Sequence, residues 1–179
     1  MNIFYLDHDP VKAAKMMTDR HVVKMIVESA QLLCTNLRML DGTETTRKSK
    51  SGSTLKYWAL SDSFLEKRIY KPTHYNHPSA IWVRQSDKNY EWLYKHFKAL
   101  NEEYKTRFGE KDHYTVVLLD EYIKNPPVNI PKGELQKPNY AMPEQYRVDN
   151  PVQSYRNYYE AEKLIEEKDI ERYNRLKGE

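Results

Sequence analysis

Between Asp19 and Leu40 five polar residues, His21, Lys24, Glu28, Gln31 and Thr35, follow one another at intervals of three, four, three and four. On a helix that spacing puts all five on one narrow stripe. The positions around them are largely apolar, so such a helix must be enclosed over most of its girth. Its polar strip then either lines a cleft or forms a solvated side. In a cleft Glu28 would be partly desolvated, which disfavours its charge, while Lys24 one turn earlier favours it. Opposed influences of that kind suit an acid or a base.

Two other clusters carry polar chemistry. The sequence THYNHP sets His74 three residues before His77. Pro78 favours an extended or turn backbone there, no cysteine is near and no HExxH pattern occurs. A hydrogen-bonded turn pair is therefore expected ahead of a metal site, and no metal or cofactor is predicted. In a functional role the two histidines would meet phosphate. Near the carboxyl end, SYRNYYEAEK brings Tyr155, Tyr158 and Tyr159 to one helical side beside Arg156 and Lys163. Rings of this type stack on bases while cationic tips contact phosphate, and the same rings at helical spacing also fasten a terminal helix to a core. There is no Walker loop, glycine-rich dinucleotide turn or GxSxG elbow, so nucleotide hydrolysis and acyl transfer lose their usual support. His8, His96 and His113 have no partner pattern and read as structural or exposed.

The elements that must hold these residues are helices. Asp9-Pro10 is a cap followed by a first-turn proline and predicts a short helix to about Met17. Thr18 and Asp19 cap the long helix that carries the stripe, with Val22, Ile26, Ala30, Leu33 and Leu37 on its buried side. Residues 41–54, DGTETTRKSKSGST, have almost no large apolar side chain and read as a flexible basic loop. Leu55 to Tyr70 has mixed spacing, ended by Pro72. His77-Pro78 opens a short helix. Ser86 or Asp87 caps another that runs to Gly109, with Tyr90, Leu93, Phe97 and Leu100 forming its stripe. Tyr114 to Lys124 looks helical, five prolines break up the segment 125–149, and Asn150-Pro151 starts a helical tail. No repeat or strand alternation is evident, so the expected class is mainly α, compact, in one domain over residues 1–179.

Composition bounds the partners. Hydrophobic residues at 39% against 31% charged make the chain too polar for a membrane protein yet rich enough in large side chains to fold. No apolar run approaches the roughly 18 residues of a membrane span, and the start MNIFYLDHDP lacks a secretory pattern. Cys34 is the single cysteine, which excludes an intrachain disulfide and fits a reducing, cytoplasmic setting. A net charge of +3 permits nucleic acid without demanding it. The 15 tyrosines suit half-buried surfaces such as a binding cleft.

Three features together resemble a known family, the small all-helical pyrimidine-dimer DNA glycosylases with lyase activity, of the phage endonuclease V type. Asp19-x-His21 with Glu28 seven residues after the histidine, behind the start MNIFYL, matches the helix on which that family carries its catalytic glutamate. HPSAIWVRQSDKNYEWLYKHFKALNEEYKTRFG is similar to its central histidine, aromatic cluster and long helix ending at glycine. YRNYYEAEK looks like its aromatic tail.

In that family the amine of the first residue attacks the sugar C1′, displaces the base and forms an imine that undergoes β-elimination, assisted by the glutamate. The resemblance implies that the Met1 α-amine is the nucleophile, that Glu28 is the acid–base group with His21 beside it, and that the partner is double-stranded DNA bound by a monomer. An α-amine titrates near pH 8, low enough to supply a neutral fraction in the cell. The phage enzyme exposes a threonine amine after losing its initiator methionine, whereas Asn2 is bulky enough for Met1 to be retained here. Val27 and Gln31 stand where the family has arginines. The donors available toward the nucleic acid are then Lys24, Gln31, His74, His77, Arg84 and Arg156, with Tyr155 and Tyr158 as stacking rings. The basic insertion around Arg47, Lys48 and Lys50 makes the chain larger than the phage enzyme and is expected to hold another part of the nucleic acid. The rival readings are a non-catalytic nucleic-acid-binding accessory protein and an enzyme that processes nucleosides or nucleotides.

Overall fold

The computed structural model describes residues 1–178 and is mainly α, with eight helices and one two-stranded sheet among them. The chain enters without regular structure, yet Asn2 to Leu6 are buried. Tyr5 stacks on Trp92 at 4.5 Å and meets Trp82 edge to face at 5.9 Å, so this opening segment is part of the core rather than a tail. Helix α1 (Pro10–Lys15) follows, its first turn capped by the Asp9 carboxylate, which accepts from the Val11 N–H at 2.9 Å.

Helix α2 (Asp19–Asp41) is the centre of the molecule. Thr18 caps it by accepting from the His21 N–H at 3.2 Å. It packs against α4 (Pro78–Val83), α5 (Asp87–Phe108) and α6 (Tyr114–Ile123). Every residue from Leu32 to Arg38 is buried, so its second half is enclosed all round, as its apolar girth requires.

Residues 43–59 correct the sequence reading. In place of a flexible basic loop, Thr43–Lys48 (β1) pairs antiparallel with Thr54–Ala59 (β2), in the register Thr43 to Ala59 and Lys48 to Thr54. The pattern was missed because β1 lies almost wholly in solvent, so no alternation of apolar and polar residues marks it. Its strand character comes from the β-branched Thr43, Thr45 and Thr46. Gly52, at φ +85°, turns the tip. Gly42 joins helix to hairpin where a Cβ would stand 2.5 Å from the Arg38 carbonyl oxygen, too close for any larger residue.

Arg38 fastens this hairpin to the body. Its side chain is fully buried, pairs with Glu66 at 2.5 Å, and donates to the carbonyls of Trp58, Glu66, Ile69 and Tyr70. It thereby joins β2, α3 (Ser63–Arg68) and the strand-like 69–70 segment to α2. Burial alone would raise the Glu66 pKa, but hydrogen bonds from Tyr57, the Leu60 N–H and Arg38 outweigh it and hold the carboxyl below its ordinary value.

After α6 the proline-rich segment crosses the ends of α4 and α5. Trp82 donates its indole N–H to the Gln136 carbonyl at 3.0 Å, and Ser86 donates to the Glu134 carbonyl at 3.0 Å. Helices α7 (Pro151–Glu162) and α8 (Glu167–Gly178) complete the chain. No helix among the described residues is long and apolar enough to cross a membrane.

Two stability outcomes follow. Arg38→Leu should cost about 3–5 kcal/mol in urea unfolding, because it strands Glu66 and four carbonyls at once. Arg38→Lys should recover little of it, since one ammonium cannot span the guanidinium's fork. Acid should also weaken the fold through His96, which is fully buried and bonded to the Pro10 carbonyl at 2.9 Å. Burial, partly offset by that bond, lowers its pKa from 6.5 to about 4. The unfolded chain therefore takes up a proton that the folded chain refuses. Stability is complete above about pH 6.5 and should fall by about 3 kcal/mol on reaching pH 4, with a smaller fall in His96→Gln.

Candidate active site

The first four residues form a tight fold around Asn2. Its side-chain oxygen accepts from the N–H groups of Ile3 at 2.8 Å and Phe4 at 2.9 Å, and its amide donates to the Ala141 carbonyl at 2.7 Å. Phe4 sits at φ 45°, a left-handed conformation costly for an aromatic residue. It is held there by packing: its ring lies 4.8 Å from His21 and 5.0 Å from Tyr159.

Bent in this way, the chain turns its leading nitrogens toward α2. The Met1 ammonium stands 3.8 Å from Glu28 Oε2, and the Asn2 N–H donates to the same oxygen at 3.0 Å. Lys24 Nζ lies 3.3 Å from Oε1. The Met1 side chain is buried and that of Glu28 is 12% exposed, so the carboxylate is largely desolvated while the residue that carries the amine keeps partial access to solvent. His77 closes another side. Its Nδ1 accepts from the Ser79 N–H at 3.1 Å and caps α4. Burial chiefly lowers its pKa, helped by the nearby terminal ammonium and His74 and opposed by Glu28 and the Met1 backbone.

His21 occupies the next position along the stripe. Tyr159 accepts from the Thr18 N–H at 2.9 Å, which leaves its own proton for His21 Nδ1 at 2.7 Å. In the neutral ring the remaining proton is then on Nε2. Burial, reinforced by Lys24, Lys163 and Arg20, pushes the His21 pKa down to about 4, so the ring is neutral at cell pH. His21 and Lys24 line a hollow of about 260 Å³ together with Arg20, Lys163 and the acidic Glu162, Glu166 and Asp169. At the other end of the stripe Gln31 and His74 line a groove of about 850 Å³. Glu28 lies on the helix between the two.

The remaining candidates divide. Arg84 donates to the Tyr75 carbonyl at 2.8 Å and braces the turn that carries His74 and His77. Tyr158 is half-buried, 6.1 Å from Phe4 with the Lys163 ammonium over its ring. Two residues expected on a nucleic-acid face are used inside the protein. Tyr155 is fully buried and donates to the Asn139 carbonyl at 2.8 Å. Arg156 donates to the Leu6 carbonyl at 2.7 Å and pairs with Asp7 at 2.9 Å, tying α7 to the opening segment. The sequence held the signal for Tyr155: Val152, Tyr155 and Tyr159 recur at three and four, an inward stripe that leaves Tyr158 outside. Asn2 and Phe4 were missed as site residues, and Tyr159 was grouped with the stacking rings rather than with His21. Nothing local marks Asn2 or Phe4, because their partners lie across the fold. Among the described residues no three or more histidine, cysteine or carboxylate side chains gather to hold a metal ion.

Comparison with known proteins adds one match. No curated protein and no solved structure matches the chain. A family described as pyrimidine dimer DNA glycosylase matches residues 1–116, which include Met1, His21, Glu28 and His77 but not the aromatic tail. That stretch is more than half of the 179 residues, and the chain therefore belongs to the pyrimidine dimer DNA glycosylase family.

Proposed function

We propose that the chain is a glycosylase and abasic-site lyase that acts on a damaged or modified pyrimidine in double-stranded DNA through an imine on the Met1 amine. The observation that carries this reading is the contact between the Met1 nitrogen and the largely desolvated Glu28 carboxylate, 3.8 Å apart, with Asn2 fixing the backbone between them.

The chemistry balances with these two groups. The neutral amine attacks C1′ of an extruded nucleotide as the glycosidic bond breaks, and the base leaves with the bonding electron pair. Glu28 takes one amine proton and returns it to O4′ as the sugar ring opens, giving the iminium. Loss of a C2′ proton then expels the 3′ phosphate by β-elimination, and water hydrolyses the imine to restore the amine. Glu28 also opposes the positive charge that grows on the sugar. His21, neutral and held by Tyr159, offers an Nε2–H donor to the adjoining hollow. Lys24, Gln31, His74 and His77 flank the same line and supply donors to phosphate or base. Arg84 acts through the turn it braces, and Tyr158 presents a ring beside Phe4.

Borohydride should trap a covalent adduct with abasic duplex DNA, and acetylation of the amino terminus should abolish it. Glu28→Gln keeps an acceptor for the Asn2 N–H, so it should fold while lowering turnover on the order of 10²–10⁴-fold. Absence of any adduct, with intact salt-dependent DNA binding, would favour the accessory-protein reading instead.

A second set of variants tests how the amine is positioned. The intact mass should include Met1. Asn2→Leu retains the methionine but removes three side-chain hydrogen bonds, and should lower kcat about 10–100-fold with little change in KM. Asn2→Ser invites removal of Met1, which leaves the free amine on the residue-2 nitrogen, itself 3.0 Å from Glu28 Oε2, so trapping should persist on a chain whose intact mass lacks the methionine.

A further inference from the structure

A hollow larger than the one nearest His21 is the groove between the hairpin and the 67–75 segment. Arg47 and Lys56 come from one wall, Lys67, Arg68 and Lys71 from the other, with His74 toward its inner end. No carboxylate lines it. Five lysines and arginines here, in a chain whose formal net charge is +3, leave the remainder with more acid than base. Most cations elsewhere are paired: Lys24, Lys98, Arg107, Arg156 and Arg172 each reach a carboxylate within 4 Å. In the groove Lys56 pairs with Glu44, whereas Arg47, Lys67, Arg68 and Lys71 have no such partner among the described residues. Arg47 and Arg68 instead lie over the rings of Tyr57 and Phe64. Like charges gathered without counter-ions raise one another's free energy, a cost that an anionic ligand would relieve.

The groove is also preformed. The carbonyls that hold Arg38 belong to Trp58 on one wall and to Glu66, Ile69 and Tyr70 on the other, so one buried guanidinium fixes the spacing between walls. Its inner end meets the candidate site. Gln31 is one turn beyond Glu28 on α2, about 5 Å along the axis, and His74 is three residues before His77, which faces the Met1 amine.

We propose that this groove holds the phosphate backbone of the DNA on one side of the lesion, so that the hairpin extends the footprint of the site in a single direction. The proposal rests on the DNA-directed reading above and adds to it a separate contact whose residues take no part in the imine chemistry. A line of unpaired cations along a groove open to solvent fits a polyanion with regularly spaced charges better than a single small ligand.

The test is equilibrium binding of the whole chain to duplexes carrying an uncleavable abasic analogue, read by fluorescence anisotropy over a salt series. Lys67, Arg68 and Lys71 are exposed, and their triple replacement by glutamine should leave the melting temperature unchanged. It should weaken binding on the order of 10- to 100-fold at about 0.1 M salt and flatten the dependence of log K on log salt by about 2–3. Arg47→Gln on the opposite wall should add to the loss. With duplexes shortened on one side of the analogue, the effect should vanish for one and persist for the other. An unchanged salt slope, or equal effects on both shortened duplexes, overturns the proposal, as does tighter binding of polyglutamate than of duplex. Borohydride trapping reads the chemistry separately: trapping without a groove effect sinks the groove alone, and a groove effect without trapping sinks the imine alone.

Discussion

A carboxylate left only 12% exposed needs donors, and Glu28 finds them at the start of its own chain. Its Oε2 faces the Met1 ammonium and the Asn2 N–H, and its Oε1 faces Lys24. Removing water from an ion pair is costly unless the geometry is held, because the lost hydration must be replaced contact for contact. Much of the surrounding architecture serves that requirement. Asn2 ties the first turn to itself and to Ala141, so the proline-rich segment helps to set where the amine lies. Arg156 grips the Leu6 carbonyl from α7, and Tyr5 packs with Trp82 and Trp92 in one three-ring cluster. The opening segment is thus fixed from several directions. A chain terminus is ordinarily free to fray, and here it is as constrained as a core strand.

The same constraint explains why the polar stripe of α2 is narrow. A helix that must bury most of its circumference can show water only one line of residues, and the chain start lies along part of that line. His21 and Glu28 are therefore exposed in sequence terms yet shielded in space. Their environments separate their tasks. His21 is kept neutral by burial and by the cations around it, with its tautomer set by Tyr159. Glu28 is matched by an ammonium instead. The two groups lie about two turns apart, and on the proposed reading they would handle protons in different ways.

Much of this was legible in the sequence, for identifiable reasons. Thr18 and Ser86 announce their helices because capping is a local hydrogen bond, and the three-four spacing of the α2 stripe reports burial directly. The hairpin was illegible because an exposed strand has no buried face for a period of two to record. The intramolecular partners of Tyr155 and Arg156 were not legible for a different reason. Residue type suggested a nucleic-acid contact, but whether a tyrosine or arginine faces out depends on what is packed behind it. The convergence of Met1 and Glu28 could be inferred only by resemblance, since it is made by Asn2 reaching Ala141 across 139 positions of sequence.

The electrostatic layout along α2 gives the hairpin a physical role beyond added size. On the proposed reading, the carboxylate at the centre of the line would repel phosphates brought close to it. Lys24 compensates at short range, but it is more than half exposed and shared with Glu28, so little of its charge is left for a ligand. Val27 and Gln31, beside and one turn beyond the carboxylate, add no charge of their own. Cations held farther away must then supply the attraction, and the unpaired group between β2 and residues 67–71 is placed to do so without neutralising Glu28. On the proposed reading, separating attraction from chemistry in this way would let Glu28 keep its charge while the groove walls, whose spacing the buried Arg38 sets, hold the DNA.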